Sequence, residues 1–185
     1  MSNAVSALQG ASYAGFVEIT ETGLQGMISL RGDLSDASFA KTVARVTGVK
    51  MPGVTGFTAS GSTRLGWMSP DELLVLCPYD EAAGLVARLS EALDGSHFLA
   101  ANMSDARAVF EVKGAGCRNV ISKLAPVDMS PERFKEGVLR RSRLAQAPAG
   151  IWLDGPDILR VMCFRSQADY VFALLSRAAM PGCEL

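Results

Sequence analysis

His97 is the only histidine in this chain of 185 residues. It is the first place to look for catalysis, because a serine or cysteine nucleophile needs a base to take its proton. No GxSxG elbow accompanies it and it opens a predicted strand, so the expectation is an ordinary, partly buried or surface histidine of no catalytic consequence. The four cysteines, Cys77, Cys117, Cys163 and Cys183, contain no CxxC pair. With one histidine they give no ligand set at zinc spacing, so no metal is expected and the cysteines read as reduced thiols. Gly114-Ala115-Gly116-Cys117-Arg118-Asn119 follows a predicted strand and opens a helix, the setting in which backbone amides hold a pyrophosphate. Asn119 stands where the third glycine belongs, which leaves a plain helix start. Asn102-Met103-Ser104-Asp105-Ala106-Arg107 reads as a turn held by Asp105 with a local ion pair. Paired carboxylates for acid–base work are absent from any segment that would form a pocket, so no catalytic, cofactor-binding or metal-binding residue is predicted.

The densest charge is Arg140-Arg141-Ser142-Arg143. Arginine forks match carboxylates and phosphates through paired hydrogen bonds, so this cluster suits a partner subunit or an anionic ligand; a solvated face is the bland alternative. Arg140, Arg141 and Arg143 are the subunit-interface candidates.

The elements that must position these residues follow from apolar spacing. Residues 1–25 are rich in Ser, Ala, Gly and Thr and are expected to form an N-terminal extension without regular structure, docked on a surface or a partner. A strand over 27–32 precedes a helix capped by Ser35, carrying Phe39, Val43 and Val46, and stopped by Gly48. Residues 63–67 and 72–77 flank a turn at Pro70 and read as a hairpin, followed by a helix capped by Asp80 through Leu85, Val86, Leu89 and Leu93. Strands are expected over 97–103 and 107–112. A helix then runs through Val120, Ile121 and Leu124 to Pro126, and the Arg140 cluster lies in an extended stretch. A hairpin over 149–153 and 158–164 and a helix capped by Ser166 complete the chain.

The order repeats, and so do the letters. Trp67-Met68-Ser69-Pro70-Asp71-Glu72-Leu73-Leu74-Val75-Leu76-Cys77 lies over Trp152-Leu153-Asp154-Gly155-Pro156-Asp157-Ile158-Leu159-Arg160-Val161-Met162-Cys163 with one inserted residue. Past the insertion the offset is 86 residues, from Asp71 to Asp157 and from Cys77 to Cys163. The prediction is an α+β fold for residues 26–185, two similar halves (about 26–95 and 97–181) of antiparallel sheet with helices packed on it.

Composition closes off whole classes of function. Eighteen Lys and Arg against nineteen Asp and Glu give a net charge of -1, so no basic field gathers nucleic acid or anionic lipid. No apolar run is long enough to span a bilayer, and the N-terminus lacks the pattern of a secretory signal, so a cytoplasmic protein is expected.

Five blocks in order carry a family resemblance. They are Trp67-Met68-Ser69-Pro70-Asp71-Glu72-Leu73-Leu74, Asn102-Met103-Ser104-Asp105-Ala106-Arg107-Ala108, Lys123-Leu124-Ala125-Pro126-Val127-Asp128-Met129-Ser130-Pro131, Arg140-Arg141-Ser142-Arg143-Leu144-Ala145-Gln146 and Cys163-Phe164-Arg165-Ser166-Gln167-Ala168-Asp169-Tyr170-Val171. Together, from about Leu30 to Pro181, the chain resembles the gamma subunit of bacterial heterotetrameric sarcosine oxidase. The resemblance implies alpha, beta and delta subunits as partners, and a complex that oxidatively demethylates sarcosine to glycine, yielding peroxide and methylenetetrahydrofolate or formaldehyde. It also implies that FAD, covalent FMN, NAD and tetrahydrofolate sit on or between the larger subunits and zinc on delta, with no cofactor on this chain. The implied fold is similar to the folate-binding domain of the glycine-cleavage aminomethyltransferase. The competing reading is an independent folate-binding one-carbon transferase. Against it stand the greater length of such enzymes and the lack of an acid–base group beside a pterin pocket.

Overall fold

The computed structural model describes residues 4–184. In chain order its elements are β1 (Ser12–Ala14), β2 (Glu18–Glu21), β3 (Gly26–Gly32), α1 (Ala37–Thr47), β4 (Phe57–Ser60), β5 (Thr63–Ser69) and β6 (Glu72–Cys77). Then follow α2 (Ala82–Ala92), β7 (Phe98–Asn102), β8 (Arg107–Lys113), α3 (Cys117–Leu124), β9 (Leu139–Leu144), β10 (Ala147–Gly155), β11 (Ile158–Phe164) and α4 (Ala168–Ala178). They fall into two compact units: residues 25–104, and the chain up to residue 24 together with residues from 105 onward.

In the unit of residues 25–104, five antiparallel strands run in the order β4-β5-β6-β3-β7. All six residues of β6 are buried. Leu73, Val75 and Cys77 face a core with Phe39 and Val43 of α1 and Leu85 and Leu89 of α2. Helix α1 starts at Asp36, whose carboxylate accepts from the Ser38 amide, and ends at Gly48 with φ 70°, a left-handed position that glycine takes without a Cβ clash. Ser35, expected as the cap, instead bonds Asp33 through both its amide and its hydroxyl.

In the other unit, six antiparallel strands run β1-β2-β8-β11-β10-β9. Phe110, Val112, Leu159, Val161 and Ile151 make a core with Val120 and Ile121 of α3 and Val171 and Leu175 of α4. Phe110 also stacks on Phe172, ring centres 6.1 Å apart. The two units thus repeat one plan: β4-β5-β6-β3-β7 in one corresponds to β9-β10-β11-β8-β2 in the other, with β1 added outside. The hairpins β5–β6 and β10–β11 even share a register shift, at Trp67/Ser69 and at Leu153/Gly155. The α+β architecture of two similar antiparallel halves covered by helices is the one the sequence predicts.

Several local expectations differ. Part of the segment 1–25, expected to be irregular, forms β1 and β2 (residues 1–3 lie outside the described residues), with Ile19 fully buried. Strand β2 has only four residues, too few to show a period in sequence, and gains its place by pairing with β8. The predicted strand 97–103 becomes β7 and pairs with β3, so the boundary between units falls at residues 104/105. Asp80 and Ser166 cap no helix. Each lies in a single 3-10 turn, Tyr79–Glu81 or Arg165–Gln167, ahead of α2 or α4, and such a turn occupies helix-start amides with backbone carbonyls. Helices α2 and α4 accordingly have no side-chain cap bond.

Candidate functional site

The Arg140 cluster lies on β9, the outer strand of the six-stranded sheet. Because side chains alternate across a strand, the cluster is divided. Arg140 pairs across the ladder with Ile151 and shares its face with Leu144, while Arg141 and Arg143 lie opposite Gly150 and Pro148 on the other face. Arg141 and Arg143 are exposed. Arg140 is half-buried, and its Nη1 is closed off from solvent without a hydrogen-bond partner among the described residues. A buried guanidinium nitrogen left unbonded is costly. Charged residues also protect an edge strand from indiscriminate pairing, so Arg141 and Arg143 have a structural use on this edge as well as a binding one.

Other cations, not singled out by sequence, are used as internal ties. Arg118 Nη1 donates to the carbonyls of Met129 (2.7 Å) and Phe134 (2.8 Å), fixing the loop between α3 and β9. Lys123 donates to the carbonyls of Ala178 (3.0 Å) and Cys183, and its ammonium stands 4.9 Å from the centre of the Phe16 ring. Arg165 Nη2 donates to the carbonyls of Val5 and Ser6. Arg160 bridges Asp154 (2.9 Å) and Glu111 (2.8 Å). Lys123 and Arg165 reach segments 55 to 160 residues away, which no periodicity in the sequence marks.

The glycine-rich turn has a packing explanation. A Cβ on Gly116 would stand 2.6 Å from the Phe16 ring, and one on Gly114, at φ 135°, 3.1 Å from Val17. Both glycines therefore admit the N-terminal segment rather than a phosphate. The turn at Asn102 is held by that residue, whose Oδ1 accepts from the amide and hydroxyl of Ser104. Asp105 sits in the short 3-10 turn that follows.

His97 is exposed, on the rim of a groove of about 540 Å³ shared with Arg31, Asp71 and Leu99. Arg31 there bonds both Asp71 (2.9 Å) and Glu72 (3.0 Å), and Glu72 also accepts from Ser29. The Ser69 hydroxyl, and after it Arg31, hold the Asp71 carboxyl below its ordinary value. Three cysteines are buried and free. Desolvation pushes the Cys77 thiol up to about 11 and that of Cys163 to about 12, the reverse of what a nucleophilic thiol needs. Among the described residues no group of three or more His, Cys, Asp or Glu is placed to hold a metal ion, and no helix is long and apolar enough to cross a membrane.

The repeated helix-covered sheet places the protein in the aminomethyltransferase-like class of α+β folds. It is similar to the glycine cleavage system aminomethyltransferase T of Bartonella henselae, with a TM-score of 0.60 at 10% identity over 82% of this chain and 43% of that one. The match to the sarcosine oxidase, gamma subunit family covers residues 31–180, and the chain belongs to that family. It is 29% identical over 151 residues to the sarcosine oxidase subunit gamma of Corynebacterium sp. (strain P-1), covering 80% of this chain and 73% of the relative. Its fold also matches a chain of the heterotetrameric sarcosine oxidase of Corynebacterium sp. U-96 in complex with pyrrole 2-carboxylate. That match has a TM-score of 0.81 at 24% identity, over 91% of this chain and 87% of that one.

Proposed function

We propose that this chain is a non-catalytic accessory subunit of a heterotetrameric sarcosine oxidase, assembled with alpha, beta and delta subunits in the cytoplasm. The observation that carries the proposal is the family match over residues 31–180. In this reading the complex demethylates sarcosine oxidatively to glycine and peroxide, releasing the one-carbon unit as methylenetetrahydrofolate or formaldehyde. FAD, FMN, NAD and tetrahydrofolate then belong to the larger subunits and zinc to delta. The chain contributes surface: Arg141 and Arg143 on β9 meet a partner's carboxylates, and residues 4–24 brace the six-stranded sheet from which they project. Two features support a structural role. The chain's buried thiols are held protonated, and most of its part-buried cations are engaged in ties within the chain.

The test is co-purification of a tagged copy expressed with its neighbouring genes, with an absorbance spectrum of the eluate. Larger subunits with a flavin spectrum are expected. A chain that elutes alone, colourless, and binds tetrahydrofolate tightly overturns the proposal in favour of an independent one-carbon protein.

A further inference from the structure

The two sheets differ in how their equivalent edges are finished. Strand β2 lies outside β8, and the Thr22 amide donates to the Val109 carbonyl at 2.9 Å, which sets the alternation of that ladder. The even-numbered residues of β2 thus bond β8, and Ile19 and Glu21 turn their backbone groups outward. Those outward groups are taken up by β1: the Glu21 amide donates to the Ala11 carbonyl at 2.9 Å. In the other unit β7 lies outside β3 in the same way. There the Met103 amide donates to the Met27 carbonyl at 2.7 Å. Leu99 and Ala101 therefore bond β3, while the amides and carbonyls of Phe98, Ala100 and Asn102 point outward. No strand among the described residues pairs with that edge.

The edge is also undefended. Exposed sheet edges are normally protected by shortness, charge, proline or a bulge. Strand β1 has three residues and β4 four, and β9 carries three arginines. Strand β7 has five residues, Phe98-Leu99-Ala100-Ala101-Asn102, with no charge, no proline and an unbroken register. Leu99 is 52% exposed, beside the groove that Arg31 and Asp71 border.

We infer that β7 is a docking edge that receives an extended strand from another subunit, added antiparallel or parallel in the position that β1 fills in the other unit. Charge fixes the chemistry of that strand. Arg31 is already paired with Asp71 and Glu72, and β7 itself has no charge to offer, so an incoming charged residue would lose water without gaining a counter-ion. The occupant is an uncharged segment of about five residues, the length of β7. Its backbone bonds Phe98, Ala100 and Asn102, and an apolar side chain covers Leu99, which is recognition by strand addition. This inference rests on the accessory-subunit reading, because that reading supplies the other chain.

Amide hydrogen exchange on the isolated chain and on the purified complex tests it. Leu99 and Ala101 should be protected in both, whereas Phe98, Ala100 and Asn102 should slow by about a hundredfold or more only in the complex. Leu99→Lys, which places a protecting charge on the edge, should lower recovery of the complex by about tenfold while the circular dichroism of the isolated chain is unchanged. If the complex forms but Phe98, Ala100 and Asn102 exchange as fast as in the isolated chain, the docking edge is wrong and the accessory-subunit reading stands. If the three amides are already protected in the isolated chain, with a concentration-dependent dimer in sedimentation, a second copy is the occupant and the inference is overturned. If wild-type chain recovers no other subunit, both fall.

Discussion

Glu21 shows how much one side chain can decide. It is 2% exposed, and its Oε2 accepts from the Ser6 hydroxyl and the Gly10 amide, both at 2.9 Å. Its backbone meanwhile joins β2 to β1. The carboxylate therefore fastens the first described residues to the sheet. Glu21→Ala strands the Ser6 hydroxyl and the Gly10 amide and is expected to cost about 1–3 kcal/mol in denaturant unfolding. It should also speed proteolysis ahead of residue 11. Unchanged stability would show that the loop is held chiefly by Arg165, which donates to the Val5 and Ser6 carbonyls. Nothing in Glu18-Ile19-Thr20-Glu21 announces this, because a buried glutamate reads as a surface one until its partners are known.

At the scale of the element, β9 turns one run of arginines into two functions. Arg140 is drawn toward the helix-covered face, whereas Arg141 and Arg143 project from the other. Arg141→Glu with Arg143→Glu should thus leave the isolated chain folded and reduce recovery of the complex by about tenfold or more, an effect that weakens as salt is raised. Equal recovery at low salt would reduce the two arginines to edge protection. Arg140→Glu would confuse the result, since it places a carboxylate opposite the buried Ile151. The sequence shows the charge of β9 and the lack of it in β7, but not that both strands are outermost, because that depends on pairing.

For the whole molecule, buried thiols set an alkaline limit. Cys77 and Cys163 titrate at about 11 and 12 in the folded chain against an ordinary value of 9.0. The folded state therefore holds these protons after the unfolded chain has released them. Their contribution to stability is complete below pH 9 and declines as pH rises through the folded values. The midpoint of thermal unfolding should fall between pH 9 and pH 12, and less steeply in Cys163→Ala; parallel slopes would discount the thiol. At pH 8, iodoacetamide should modify Cys183, the exposed cysteine, in the native chain and all four cysteines after denaturation. More than one fast-reacting thiol in the native chain would contradict the buried positions.

The sequence alone determined the architecture of each half. Leu73, Val75 and Cys77 recur with period two and Leu85 and Leu89 with helical spacing, and local geometry makes those periods readable without a partner. The Trp67 to Cys77 block and its copy from Trp152 to Cys163 likewise disclosed the repeat before any strand order was known. Only the tertiary structure decided that residues 12–21 complete the sheet beside β8, that β7 belongs with β3, and which edges remain open. Those outcomes depend on hydrogen bonds between residues as distant as Thr22 and Val109 or Met27 and Met103. A backbone amide carries no side-chain signature of the strand it will meet, so pairing of that kind leaves no period in the letters.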